Sequence, residues 1–370
     1  LSGSLKRRRT NGHRASMKAD RLQIEWTVKG QMPLRAQLVA LVLVGLSLAM
    51  MARPAKADAS PVTVEAKAID RFRKGSDETR FKDLIYVGGF SFAGSDSRLK
   101  GVSGFRAVDG GERFLAVTDT GNWFAGRIAR DEAGLPVGFE DAILAPIIGL
   151  DGTALGGRKY RADAEALTLW RDQAVVAFEH DPRILVFGDL SEPWKSRPTR
   201  LTLPVPLEEL RANQGLEMLA TPPAGSKLGG SLVTIAEGSI DEAGNLFAAL
   251  FGAPDGGIFK LRKDEKWNVS DGDFLPDGDL LVRERRYEGL FGGLGIRIRR
   301  IPGATIRPGA LIDGPIIFEA SLEDEIDNME GLSVWRDADG RIRLTLVSDD
   351  NGSFFQRNLL LEFLLADKGQ

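Results

Sequence analysis

An octapeptide that recurs along the chain constrains its fold more than any other feature. Glu165-Ala-Leu-Thr-Leu-Trp-Arg-Asp172 and Glu330-Gly-Leu-Ser-Val-Trp-Arg-Asp337 agree at Glu, Leu, Trp, Arg and Asp. Asp163 and Asn328 stand two residues before the glutamates. Gly215-Leu216-Glu217-Met218-Leu219 is a weaker copy, and Gly101-Val102-Ser103-Gly104-Phe105 another, with Ser in the Glu position. Ser270-Asp271-Gly272-Asp273-Phe274 stands at the expected place between Glu217 and Glu330. A period of roughly 50–60 residues is that of a four-stranded propeller blade.

From Phe81 onward, short apolar runs alternate with turn signals. The runs include Phe114–Thr118, Ala174–Phe178, Leu232–Ala236, Leu280–Arg283 and Ile342–Val347. Asp109-Gly110-Gly111, Asp277-Gly278 and Asp339-Gly340 just before such runs are hairpin signals. Pro206–Ala212 alone offers an amphipathic helical stretch. The chain is therefore all-β, a β-propeller of five or six four-stranded blades, with the available length leaning to six. A β-sandwich is the rival, but it leaves a repeat of this length unexplained. Pairing of Leu84–Phe92 with Leu359–Leu365 would close the ring and remove its open edges.

Ala36–Ala52 is an uncharged apolar run, preceded by Arg35 and followed by Arg53-Pro54-Ala55-Lys56-Ala57. A basic start, an apolar middle and an A-x-A end make a secretory signal. A membrane anchor is the rival reading, and a run this short ending in small residues favours cleavage. Met32 is the expected start, residues 1–57 the leader, 58–80 a loose lead-in, and 81–370 a single domain. Of the 49 basic residues 11 precede Asp58, against 2 of the 52 acidic ones, so the remainder carries 38 basic and 50 acidic residues and a net charge of −12. Such a surface repels nucleic acid and anionic lipid and favours cations. With no Cys in the chain, disulfides and lipidation are excluded. The expected product is a periplasmic or secreted monomer that has no membrane contact after cleavage and takes a small anionic substrate or ligand.

Each repeat carries a second acid at the end of its next strand. The pairs are Glu165 with Glu179, Glu217 with Glu237, and Glu330 with Asp349. Ser103 goes with Asp119, and Asp271 or Asp273 with Glu284. Any one such acid can serve simply to cap a turn. In a propeller, however, equivalent positions converge on the axis, and converging carboxylates repel unless a cation sits among them. Hard oxygen ligands suit Ca²⁺ or Mg²⁺. Glu165, Glu217, Glu330, Glu179, Glu237, Glu284, Asp119 and Asp349 are thus the expected metal ligands.

His180 is the one histidine beyond the leader, and no G-x-S-x-G is present. A multi-histidine zinc site is excluded, and a serine triad would have to use His180 itself. Arg285, Arg286 and Arg357 lie next to acidic positions, where an arginine can meet a phosphate-like group. The glycine-rich stretch 289–295 matches no nucleotide fingerprint.

At these residues the chain resembles the bacterial family known for esterase-like activity of phytase, a phytase-like propeller domain. The resemblance rests on seven segments: 101–105, 116–121, 163–167, 213–219, 277–286, 327–332 and 348–351. They run in order across nearly all of 81–366. Where the family pattern reads closer to S-D-R-G, this chain has Thr118-Asp119-Thr120-Gly121. The resemblance implies a hydrolase of phosphate esters or related anionic esters, and the residues read above give Arg285, Arg357 and His180 as its catalytic candidates. The alternative is a non-catalytic propeller with a structural cation that binds a ligand or protein.

The leader generates the first prediction: mass spectrometry of the periplasmic fraction finds a protein lacking residues 1–57. An intact N-terminus held in the membrane would show an anchor instead.

Overall fold

The computed structural model describes residues 58–366 except 157, 158, 212, 213, 290–292, 351 and 354, so the expected leader lies outside them. Five antiparallel blades form the fold, the lower of the two counts the sequence allows. Their innermost strands are Val102–Val108, Ala164–Trp170, Leu216–Ala220, Asn268–Phe274 and Asn328–Arg336. Every repeat start read from the sequence falls on one of these strands. The second strands are Arg113–Thr118, Gln173–Phe178, Leu232–Ile240, Leu280–Tyr287 and Ile342–Asp349, each containing one of the expected apolar runs.

Apolar alternation on both faces of each sheet builds one core between every pair of neighbouring blades. Leu115, Trp123, Leu167 and Phe187 join blades one and two, and Trp170, Val175, Leu219 and Phe251 join two and three. Met218, Ile235, Val269 and Val282 follow between three and four. Leu281, Ile298, Leu332 and Leu344 join four and five, and Phe90, Phe105, Phe124 and Leu360 complete the circle from five to one. The repeated tryptophans sit at these seams. Trp335, 8% exposed, lies over Gly111, where φ is +81° and a Cβ would come within 2.4 Å of the indole. Trp170 donates its indole N–H to Gly230 O of the next blade (2.9 Å).

Leu84–Gly94 pairs antiparallel with Asn358–Leu365, so strands from both ends of the domain share blade five. The preceding segment does not run loose as the sequence suggests. Ser60–Pro61 extends blade one, Val64–Ala68 extends blade five, and Phe72 is fully buried in the core between blades four and five. Its polar residues face solvent from edge strands, which is why they read as a linker. The stretch 206–211 holds a single 3-10 turn, Leu207–Glu209. Among the described residues, no helix is long and apolar enough to cross a membrane.

Two features shape the axis. Each innermost strand carries a β-bulge at the same place, and the extra residue is Ser103, Glu165, Glu217, Ser270 or Glu330. A bulge leaves its extra residue outside the ladder and re-aims its side chain. Further along the strand of blade one, Arg106 spans the channel. Its guanidinium donates to Asp271 Oδ2 (2.9 Å), Leu219 O (2.7 Å), Gly272 O (3.0 Å) and Leu332 O (2.7 Å), reaching blades three, four and five. Arg106 is 3% and Asp271 1% exposed, so removing one partner leaves a buried, unpaired charge. We predict that Arg106→Met lowers stability by about 3–5 kcal/mol, read as a shifted urea midpoint. An unchanged midpoint would mean that the spoke carries no stability.

Candidate functional site at the channel mouth

Strand register defines two rings of equivalent residues. The bulge ring is Ser103, Glu165, Glu217, Ser270 and Glu330, described above. The second-strand ring follows from pairing one step outward. Asp119, Glu179 and Glu237 donate their backbone N–H to Gly101, Asp163 and Gly215 O (2.8, 3.0 and 2.9 Å). Asp349 pairs with Asn328, and Arg285 pairs with Asn268. Blade four therefore places an arginine where the other four blades place a carboxylate.

The expected ligands divide accordingly. Carboxylate oxygens of Glu179, Glu217 and Glu237 lie within 4.8 Å of one another, and so do ligand atoms of Asp163, Glu179 and His180. Glu330 belongs to the opposite side, where Arg285 Nη1 (2.7 Å) and Asn328 Nδ2 (2.6 Å) both donate to its Oε1. Arg285 Nη2 also reaches Glu237 Oε1 at 3.4 Å. Asp349 accepts from Gly101 N–H (2.7 Å), while Asp119 Oδ1 fills the space a Cβ on Gly101 would need (1.8 Å). These two acids thus converge on Gly101 at the seam of blades five and one, and neither joins the glutamate groups found among the described residues.

Three expectations are corrected. Glu284 does not face the channel. Alternation along Leu280–Tyr287 sends Arg283 and Arg285 to one face and Glu284 to the other. There Glu284 is fully buried and held by Arg297 Nε (2.6 Å) and Arg299 Nε and Nη2 (2.9 and 2.6 Å). Arg357 pairs with Glu325 at 2.8 Å and stands 3.9 Å from Asp327, away from the acid cluster. The bulge residue of blade four is Ser270, not Asp271 or Asp273. Asp271 instead meets the Arg106 spoke.

His180 does stand at the mouth, its side chain 35% exposed and 4.0 Å from Glu179. Its Nδ1 is hydrogen-bonded to Asp163, whose side chain is 2% exposed. Asp163 enters the site through a position the sequence marks, two residues before Glu165. Arg283 enters with no such mark. It is fully buried and donates Nη1 to Met329 O, while its Nε and Nη2 have no hydrogen-bond partner among the described residues.

Burial, and then the neighbouring acids, drive the electrostatics. Glu165 and Glu217 are pushed well above the usual carboxylate range, first by desolvation and then by other carboxylates. Desolvation also raises Glu237, with Arg285 opposing it. Burial lowers the Arg283 guanidinium to about 10, although Glu330, Asp271 and Glu217 favour its charge. Three blades thus crowd acids together, and the arginines of blade four compensate one side. The gathered carboxylates of Glu179, Glu217 and Glu237, with the buried Asp163 Oδ1 that has no hydrogen-bond partner among the described residues, fit a hard divalent cation.

No curated protein matches the chain. An endo-arabinase from Bacteroides thetaiotaomicron VPI-5482 is similar in structure at a TM-score of 0.47 and 12% identity, over 73% of this chain and 96% of that one. The PQQ-bound aldose sugar dehydrogenase of Streptomyces coelicolor gives 0.37 and 13%, over 82% and 99%. Neither likeness bears on activity, and the propeller stands on its own strand pairing. The family described as phytase-like, esterase-like activity of phytase, matches residues 97–352, a span that contains both rings and the Arg106 spoke, and the chain belongs to that family.

Proposed function

We propose that this protein is an exported hydrolase of phosphate esters or related anionic esters that uses a divalent cation, Ca²⁺ or Mg²⁺, at one end of its channel. The observation that carries this reading is the excess of carboxylate over cation where Glu179, Glu217 and Glu237 meet. These three would hold the ion, with Asp163 and Glu165 beside them. A divalent cation held this way supplies Lewis acidity and a more acidic bound water. The chain's own groups do the rest. Arg285, anchored on Glu330 and Glu237, presents a fixed positive charge at the border of the acids, where an anionic oxygen of the substrate is steadied. Asp163 orients His180 through Nδ1 and leaves Nε2 to meet a ligand at the mouth. Removal of residues 1–57 and residence in the periplasm or medium as a monomer complete the proposal, with no nucleic-acid or membrane partner.

A cation that binds only the folded state stabilises it by about 2.7 kcal/mol at a hundredfold excess over Kd. Ca²⁺ should therefore raise the melting temperature by several degrees, and Glu217→Gln should remove most of that rise. The exposed Glu323 is the control, and its change to Gln keeps the rise. Equal melting with Ca²⁺ and with chelator would end the cation reading. A panel of phosphate and carboxylate esters then tests the chemistry: calcium-dependent turnover supports it, and no turnover of any ester leaves a binding protein.

The raised carboxylates also fix a pH signature in chelator. Folded Glu217 binds its proton more tightly than the unfolded chain, whose ordinary value is 4.5. Its contribution to stability is therefore complete below that value and is lost as pH rises through the higher folded value. In chelator, wild-type stability should fall more steeply than that of Glu217→Gln as pH rises from 4.5, and parallel melting curves across the range would refute this.

A further inference from the structure

A groove of about 890 Å³ opens at the channel mouth between blades four and five. Its inner end is Arg285 with Asn268 and Asn328, and its outer wall carries Tyr287, Leu294 and Leu322. Arg285 and Asn328 also bond Glu330, so the groove and the acid cluster share a wall. That volume falls in the range of small-molecule sites, about 300–1,000 Å³, and far exceeds what an inorganic anion needs. The chemistry of the wall is uneven. Tyr287 is 70% and Leu322 51% exposed. Large apolar groups gathered in solvent beside a fixed cation form a surface for an organic group with one charged end.

The charges narrow the ligand further. The lining holds two cations, Arg285 and Lys266, against three acids, Glu265, Glu288 and Asp327. Lys266 is paired with Glu288 (2.9 Å) and Arg285 with Glu330 (2.7 Å). A ligand with one anionic head finds Arg285 at the inner end, whereas a second or third phosphate along the groove meets carboxylates and no spare cation. Register places that same Arg285 in the second ring. Blade four is the blade whose ring position is a cation, and the groove opens beside that blade.

We propose that this groove is the subsite for the organic part of the ligand, an ester with a single anionic head and an uncharged aromatic or apolar body, in contrast to a polyphosphorylated polyol. The proposal rests on the anionic-ester reading of the channel mouth and adds the class of body it takes.

Direct binding tests it without requiring turnover. The probes are 1-naphthylphosphonate and methylphosphonate, which share a head but have no ester bond, titrated calorimetrically into the full protein with Ca²⁺. The naphthyl compound should bind at least tenfold more tightly. Tyr287→Ala and Leu322→Ala should each erase most of that preference, leave methylphosphonate binding unchanged, and leave melting unchanged because both side chains are exposed. Inositol hexakisphosphate should compete poorly. Equal affinities for the two phosphonates, no binding of either, wild-type preference in both variants, or strong competition by the hexakisphosphate would each overturn the subsite. Selective binding without turnover of any ester would remove the hydrolase reading and leave the subsite standing. Ester turnover whose KM ignores both substitutions would do the reverse.

Discussion

The guanidinium of Arg106 sets the depth of everything above it. A five-bladed ring brings its innermost strands close to the axis, and one arginine laid across that axis bonds three other blades at once. Its charge could not be buried alone, so Asp271 is buried with it. Asp271 in turn accepts the backbone N–H of Leu332 (2.7 Å), tying the same ion pair into blade five. Polar contacts from four blades thereby meet across the channel interior. On the four strands that the spoke touches, the bulge residue lies one to three residues earlier, so the ring's side chains gather at one end of the axis.

Concentrating acids there has a cost that the fold meets unequally. Buried carboxylates side by side favour protonation over charge, and the raised Glu165, Glu217 and Glu237 show that tendency. Blade four supplies the opposing charge from within the protein. Arg283 and Arg285, two apart on one strand and so on one face, bring cations to the side of Glu330. Blades two and three have His180 beside Glu179 (4.0 Å) and, from blade four, the longer contact of Arg285 with Glu237 (3.4 Å). An added cation therefore gains most at Glu179, Glu217 and Glu237, and Glu330 is no longer equivalent to Glu165 despite its place in the repeat.

How much of this was legible follows from what each signal measures. The glutamate repeat gave all five innermost strands, including the blade where Ser103 replaces Glu, because burial of a strand beside the axis imposes the same apolar pattern whatever residue occupies the bulge. Ring closure was legible because the two strands involved are mostly apolar, Glu362 being the one charged residue in them. The second ring was harder. Counting from strand ends picks the last acid of each strand, and in blade four that acid is Glu284. The ladder instead aligns Arg285 with Glu179 and Glu237, one residue later, and a one-residue step reverses the face of a strand. Asp163 could have been drawn from its fixed offset to Glu165. Arg106 and Arg283 could not, since an arginine alternating with apolar residues reads as a surface position until neighbouring blades enclose it.

Departure from the repeat also gives the mouth a direction. A ring of five identical acids would present the same face to every approach and would hold a cation on the axis. Ser at the bulge in blades one and four, and Arg in the second ring of blade four, move the acidic centre toward blades two and three. The positive charge then lies across from it, beside the groove lined by Tyr287 and Leu322. Along that line the surroundings change from the acid cluster, to the Arg285 cation, to a groove wall that exposes Tyr287 and Leu322. The ligand proposed above, an ester with an anionic head and an apolar body, would meet these surroundings in that order, so departures from the repeat would let a near-symmetric fold take an asymmetric ligand.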